Sequence, residues 1–555
     1  MFNCKTPPAT YAQCRVINKK IHFSSVVVGI NPQVQMEHRA YLCCVARRVW
    51  LYNALMEKQN LENRRGKTLS SAVAGYDAFL LAEAAKTAQN DILYIVSNGV
   101  ELEQTAEVVR YVNPNLPILT FPAWDTVPYD RVSPNVSVLS ARLETLSEIA
   151  QNQNPKQARI IITSIGAAIQ KLPPKKIFLN SRRVLKVGGK LIFNDFMHYA
   201  AINGYTKVEQ VMEAGEFAVR GDIIDIFPTG ALQPLRIDLF DEDIEKIRTF
   251  NPLNQRTTGT LNEYVFGVAN EVILDANTIK NFRSAYREAF GTDSLKDEIY
   301  ESVSNGRKYL GMENWLPYFY DEPLPTLFDY LPAATVILGR NYEDALQAKE
   351  ESIVDYYTAR LEALKIKNSA EETIYRPIKP ELLYLNTDAF SALITLKKPI
   401  TLTAMPMPES ETVINLQTVP ARDFAHNKNV NTAAVYQDLK DYLTENGRLK
   451  RIIFCNSEGS RERLYTLMNE YGIKDLTFAE NFNDAYTKAS HKKIVLAVLE
   501  LEHGFKNSEF CIISEADILG ERKNRKAKKK VTAEDFIADV SSLAVGELVV
   551  HIEHG

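Results

Sequence analysis

Phe217-Ala218-Val219-Arg220-Gly221-Asp222-Ile223-Ile224-Asp225-Ile226-Phe227-Pro228 reads as two short strands meeting at a Gly-Asp turn. Both runs are rich in β-branched and aromatic residues, which suit a pleated, half-buried surface, and Pro228-Thr229-Gly230 closes the second run. From Leu235 to Phe240 apolar and charged residues alternate, so one face packs while Arg236 and Asp238 stay in water. Ile244-Glu245-Lys246-Ile247-Arg248 follows, and an antiparallel meander is the natural result. Arg220 sits in such a run beside a glycine, with its stem packed and its guanidinium projecting. The plainer reading is a surface arginine paired with Glu216 or Asp222.

Outward from the meander the pattern changes to alternating strand and helix. Ile92 to Val96, Ile118 to Phe121 and Ile160 to Thr163 read as buried strands; Asp77 to Lys86, Glu101 to Val112 and Ser137 to Ala150 carry apolar residues at helical spacing. Such alternation implies a parallel sheet with helices on its faces. Residues 270 to about 350 are helix-rich, and the polar stretch around Asn368 to Pro380, with Tyr375-Arg376-Pro377, reads as a linker. A second α/β unit follows, with strands at Arg451 to Cys455, Ile494 to Val498 and Phe510 to Ile513, and a helix from Ser460 to Glu470.

At 555 residues the chain is too long for one core, and 45% hydrophobic with 24% charged residues is ordinary globular composition. A net charge of −4 gives no global nucleic-acid footprint, so any DNA contact is local or absent. No run of 18 apolar residues and no signal-peptide order is present, which makes a cytoplasmic location the expectation. The six cysteines contain no Cys-x-x-Cys pair; Cys455 and Cys511, inside apolar runs, read as buried free thiols.

Three blocks, in order, carry a family resemblance: Phe121-Pro122-Ala123-Trp124-Asp125-Thr126-Val127-Pro128-Tyr129-Asp130-Arg131-Val132-Ser133-Pro134-Asn135, the stretch from residue 204 to 256, and Gly311-Met312-Glu313-Asn314-Trp315 with Leu327 to Pro332. Together they resemble the bacterial transcription-repair coupling factors, whose first part is similar to the excision-repair protein UvrB, over roughly residues 70 to 555. The resemblance implies a multi-domain α/β protein: a degenerate helicase-like parallel α/β domain, an inserted antiparallel β-rich domain that binds UvrA, and a second α/β domain. The expected boundaries are 1–65, an unassigned extension; 66–180 and 266–365, the two halves of the first domain; 181–265, the UvrA-binding module; 366–520, the third domain; 521–545, a basic linker; and 546–555, the start of a polymerase-interacting domain. On this reading the chain stops before the motor, and RNA polymerase and double-stranded DNA are partners of the intact family. The resemblance and the sheet argument nominate Arg220, Phe217 and Lys207 for the UvrA-facing surface, with Arg236 a weaker candidate.

Catalytic patterns are thin. Gly66-Lys67-Thr68 imitates the end of a phosphate loop, but the first glycine of the pattern falls on Leu61, and Leu61-Glu62-Asn63-Arg64-Arg65 is not a glycine turn. There is no His-Glu-x-x-His and no Gly-x-Ser-x-Gly elbow. No cofactor, metal or catalytic residue is expected, and the chain reads as an adaptor without its own active site. The alternatives are an ATP-dependent DNA translocase or UvrB-like helicase, and a non-functional remnant of a split gene. The basic run from Arg522 to Lys530 reads as a solvated linker rather than a DNA contact.

Overall fold

The computed structural model describes residues 13–17, 20–24, 61–153, 155–366, 374–425, 432–490 and 492–520. The regions read as a basic linker and as the opening of a polymerase-interacting domain lie outside the described residues, as does most of the 1–65 extension. A first unit, within residues 1–63, holds β1 (Gln13–Ile17) and β2 (Lys20–Ser24) paired antiparallel as a hairpin.

The second unit opens as alternating strand and helix. β3 (Thr68–Ser70) precedes the helix Tyr76–Ala84, β4 (Ile92–Val96) the helix Gly99–Val112, and β5 (Ile118–Phe121) the helix Val136–Gln151, which leads to β6 (Ile160–Ser164). Every residue of β4 and β6 is buried, as parallel strands covered on both faces require. Asn98 and Asn135 cap the two longer helices by accepting from Glu101 N and Ser137 N.

The insertion follows. β7 (Arg183–Lys186) and the helix Phe193–Ile202 lead into β8 (Thr206–Lys207), β9 (Glu216–Arg220), β10 (Ile223–Ile226), β11 (Leu235–Phe240), β12 (Asp243–Phe250), β13 (Thr257–Leu261) and β14 (Glu263–Phe266). β8 to β13 form one sheet in sequence order, antiparallel throughout except that β8 runs parallel to β9. β7 pairs with β14, so the segments that enter and leave the insertion are zipped together. The Tyr199 hydroxyl lies 2.8 and 3.0 Å from the carbonyls of Ser181 and Gly267 at this junction.

The first sheet then resumes with β15 (Thr335–Leu338), β16 (Ile400–Leu402) and β17 (Val413–Asn415), in the all-parallel order β17-β3-β16-β15-β4-β6-β5. Its outer strand β5 is partly covered, because the Thr145 hydroxyl donates to the Thr120 carbonyl at 2.7 Å. Two expectations are corrected here. The first α/β layer runs through Asn415, well past the boundary read at 366, because β16 and β17 return to flank β3. Tyr375-Arg376-Pro377 is no linker: the Tyr375 ring packs 4.6 Å from Trp315 and Arg376 bonds Asp297 at 2.8 Å.

Buried polar contacts fasten the parts of the core. Arg142 and Glu271, both fully buried, pair at 2.5 Å, and the guanidinium also donates to the Pro122 carbonyl and lies 4.3 Å from the Phe121 ring. Asn314 accepts from Tyr129 N and donates to the Asp130 carbonyl, while Ser133 donates to Glu313, so two of the three sequence blocks meet here. The second sheet comprises β18 (Val419–Pro420), β19 (Lys450–Cys455), β20 (Leu476–Phe478), β21 (Ile494–Val498), β22 (Phe505–Lys506) and β23 (Phe510–Ser514), in the order β18-β22-β23-β19-β21-β20. Cys455 and Cys511 are buried free thiols in it. Among the described residues no helix is long and apolar enough to cross a membrane.

Candidate partner-docking surface

Strand alternation sorts the inserted sheet into two faces. Phe217, Ile224, Ile226, Leu235, Ile237, Ile244 and Ile247 point to one side, where they pack on Phe196, Tyr199 and Tyr205 as the module's core. The opposite side carries Ala218, Arg220, Asp225, Arg236, Asp238, Lys246 and Arg248 in cross-strand register. Gly221, at φ +60°, makes the β9–β10 turn beside Arg220 in the left-handed region that favours glycine.

A strap, residues 208–214, lies across part of this charged side. Val211 is fully buried against Ala218 and Phe250 and forms a small second core with them. Gln255 donates to the Val211 carbonyl at 3.2 Å, and Glu216 accepts from Met212 N and Glu213 N at 2.8 and 2.9 Å. Arg220 Nη2 donates to the Glu209 carbonyl at 2.6 Å. Lys308, from the second half of the platform, donates to the Gly204 carbonyl and to Thr206 Oγ1, anchoring the strap's approach. Spacing along the chain gives no sign of these fastenings; only the fold brings Gln255 and Lys308 to the strap.

The four nominated residues do not share one surface. Arg220 is exposed, and its guanidinium bonds the strap carbonyl rather than Glu216 or Asp222. Lys207 is exposed on the short edge strand β8. Phe217 is a correction: it is 3% exposed, packs edge-on against Phe196 at 5.7 Å, and supports the sheet from the core side. Arg236 is also committed elsewhere. It pairs with Asp225 at 2.7 and 2.8 Å through two nitrogens, stacks 4.5 Å over Phe250, and is raised above its usual pKa chiefly by the hydrogen bond to Asp225. Sequence reading passed over three exposed apolar side chains on neighbouring loops of the module: Leu232 (98% exposed), Leu253 (80%) and Met212 (40%).

The other place of interest is the first β–α turn of the platform, where α/β proteins commonly hold phosphates against a helix start. Here Gly75 packs tightly against the second sheet, and beside it the turn after β3 borders a mainly apolar cleft of about 310 Å³ lined by Ser71, Val73, Ala74, Pro406, Val419 and Pro420. Gly75, at φ +81°, precedes the helix Tyr76–Ala84, and a Cβ at that position would lie 2.6 Å from the His503 carbonyl and 3.2 Å from Leu501. Phe79 and Tyr76 stack edge-on against Phe505, which seats the second sheet's loop 501–504 at this turn.

Comparison with known proteins bears on both regions. Residues 184–271 match the family model described as the UvrB interaction domain, and residues 444–518 match the D3 domain of MFD. The transcription-repair-coupling factor of Rickettsia bellii is 30% identical over 484 residues, which is 86% of this chain and 41% of that protein. The corresponding factors of Haemophilus influenzae and Escherichia coli are each 29% identical, over 88% and 86% of this chain. The chain spans about two fifths of the length of these relatives. With both domain models in one chain, and these relatives aligned along most of its length, the chain is similar over those residues to the transcription-repair-coupling factors.

Proposed function

We propose that this chain is an adaptor that recruits UvrA through its inserted sheet, linking stalled transcription to nucleotide-excision repair. The observation that carries this reading is the charged side of the sheet, where Arg220 is exposed and backed by a strap pinned from three directions. A pre-ordered surface lowers the ordering cost of binding, and Arg220 supplies an exposed cation on it, while Lys207, in register with Phe217, stands on the other side of the edge strand. Truncating a central arginine in such an interface costs on the order of 2 kcal/mol or more. Calorimetric titration of UvrA into wild-type, Arg220→Ala and Lys207→Ala chains tests this. Retention of full affinity by Arg220→Ala removes the charged side from the interface, and retention by Lys207→Ala removes the edge strand β8. Gln255→Ala, which frees the strap at Val211 without altering surface charge, separates a direct arginine contact from strap ordering.

The adaptor reading includes no nucleotide chemistry, and its support is the packing of the second sheet on Gly75 and the apolar lining of the cleft beside it, which offers phosphates no lysine or arginine. On this reading RNA polymerase and double-stranded DNA are partners of the whole family protein, not of this inserted sheet. A clear rise in melting temperature with ATP, accompanied by hydrolysis, would favour the translocase reading instead.

A further inference from the structure

From Lys171 to Lys190 the sequence holds seven cations and no carboxylate, in a chain whose net charge is −4. The structure folds this stretch along a cleft of about 540 Å³ between the helix Lys175–Asn180, the start of β7 and the helix Ala276–Phe290. Lys176, Arg183 and Lys280 line it, together with the amides of Asn180, Asn277 and Asn281. Its carboxylates are already engaged: Asp275 caps its own helix at Asn277 N and Thr278 N, while Asp321 and Glu322 face Lys176 at 3.9 and 2.9 Å. Arg183 bonds only carbonyls, those of Arg182 and Asn180, and lies over the Tyr199 ring.

The cationic row continues outside the cleft. Lys280, Arg283 and Arg287 are exposed and fall within about 60° of one another around their helix, spanning about 10 Å along its axis. Among the described residues, Arg182, Arg183, Lys280, Arg283 and Arg287 have no ion-pair partner, so their charge is uncompensated within the protein. The rings bordering the cleft, Tyr199, Phe319 and Tyr320, are all buried, which leaves no platform for stacking an unpaired base. Cations in a row, amide donors and no stacking surface suit the outside of a double helix rather than a single strand.

We propose that this cleft and helix row form a binding site for the phosphate backbone of duplex DNA, separate from the charged side of the inserted sheet. Engagement of four or five phosphates gives a slope of about −4 for log K against log salt. The test is fluorescence anisotropy of a labelled duplex with the full chain, between about 50 and 200 mM salt. Arg182→Glu/Arg183→Glu and Lys280→Glu/Arg283→Glu are each expected to weaken binding at least tenfold and to lower the slope by about 2. Lys492→Glu/Lys493→Glu, reversing two exposed lysines elsewhere, is expected to leave both unchanged, and thermal melts confirm that each variant is folded. Three results would overturn the site: no salt-dependent duplex binding at the low end of that range; loss of binding on neutralising Lys528, Lys529 and Lys530 while the cleft variants bind normally; or preferential binding of polyglutamate, which would assign the cleft to an acidic polypeptide.

Discussion

Removing the carboxylate at Glu271 probes how the inserted sheet is held to its platform. Glu271 follows the insertion and its partner Arg142 lies on the helix Val136–Gln151; both side chains are fully buried, with contacts of 2.5 and 3.4 Å. In Glu271→Ala the guanidinium keeps the Pro122 carbonyl at 2.8 Å and the face of Phe121, but loses its one ion-pair partner among the described residues. Breaking a buried pair from one side costs about 3–5 kcal/mol, and the retained contacts favour the lower end. About 3 kcal/mol corresponds to a drop of about 3 °C in the melting temperature of a unit that runs from Arg64 to Gly555. Trp124 lies 5.6 Å from Arg142, so its fluorescence during urea unfolding reports on this region. The double variant Arg142→Met/Glu271→Leu removes the stranded charge and is expected to recover more than half of the loss. A single variant within about 1 kcal/mol of wild type, or a double variant no better than the single, would refute this account of the junction.

Glu313 is buried, and desolvation holds its carboxyl above the usual 4.5, so its stabilising contribution is complete at low pH and is lost as pH rises through the raised value. Glu313→Gln should therefore match wild type near about pH 4 and exceed it in chemical denaturation at about pH 7; a constant difference across that range would contradict the assignment. Burial pushes the Cys455 thiol up to about 12 and the Cys511 thiol to about 11, so mass spectrometry after iodoacetamide at about pH 8 should find both unmodified until the chain is unfolded. Gly75→Ala places a Cβ 2.6 Å from the His503 carbonyl at a positive φ and should lower stability by about 1–3 kcal/mol in calorimetry. An unchanged melt would mean that loop 501–504 does not press on this turn.

The meander was legible because β9 and β10 are short runs rich in β-branched and aromatic residues broken by Gly221-Asp222, and the parallel sheet because Ile92 to Val96 and Ile160 to Ile162 are unbroken apolar runs. Strand alternation also held information that motif reading overrode. Phe217 and Arg220 differ by three positions, so a strand must place them on opposite faces, and nominating both for one surface conflicted with that rule. Arg236 misled for another reason: its partner Asp225 is eleven residues away and comes opposite it only through the β10–β11 register. β16 and β17 have three residues each, too few for periodicity to show that they return to the first sheet. The close packing at Gly75 needs contact between residues more than 400 positions apart, which no local pattern encodes.

Because β7 and β14 are paired, the inserted sheet is tethered through two neighbouring strands that run side by side into the platform. Tension from a bound partner therefore loads both tethers at once, and Tyr199, lodged between Ser181 and Gly267, sits where they converge. With Lys308 holding Gly204 and Thr206, and Gly230 N donating to Ser140 at 2.8 Å, the insertion is moored at three places, so a pull on it reaches the body of the protein through all of them.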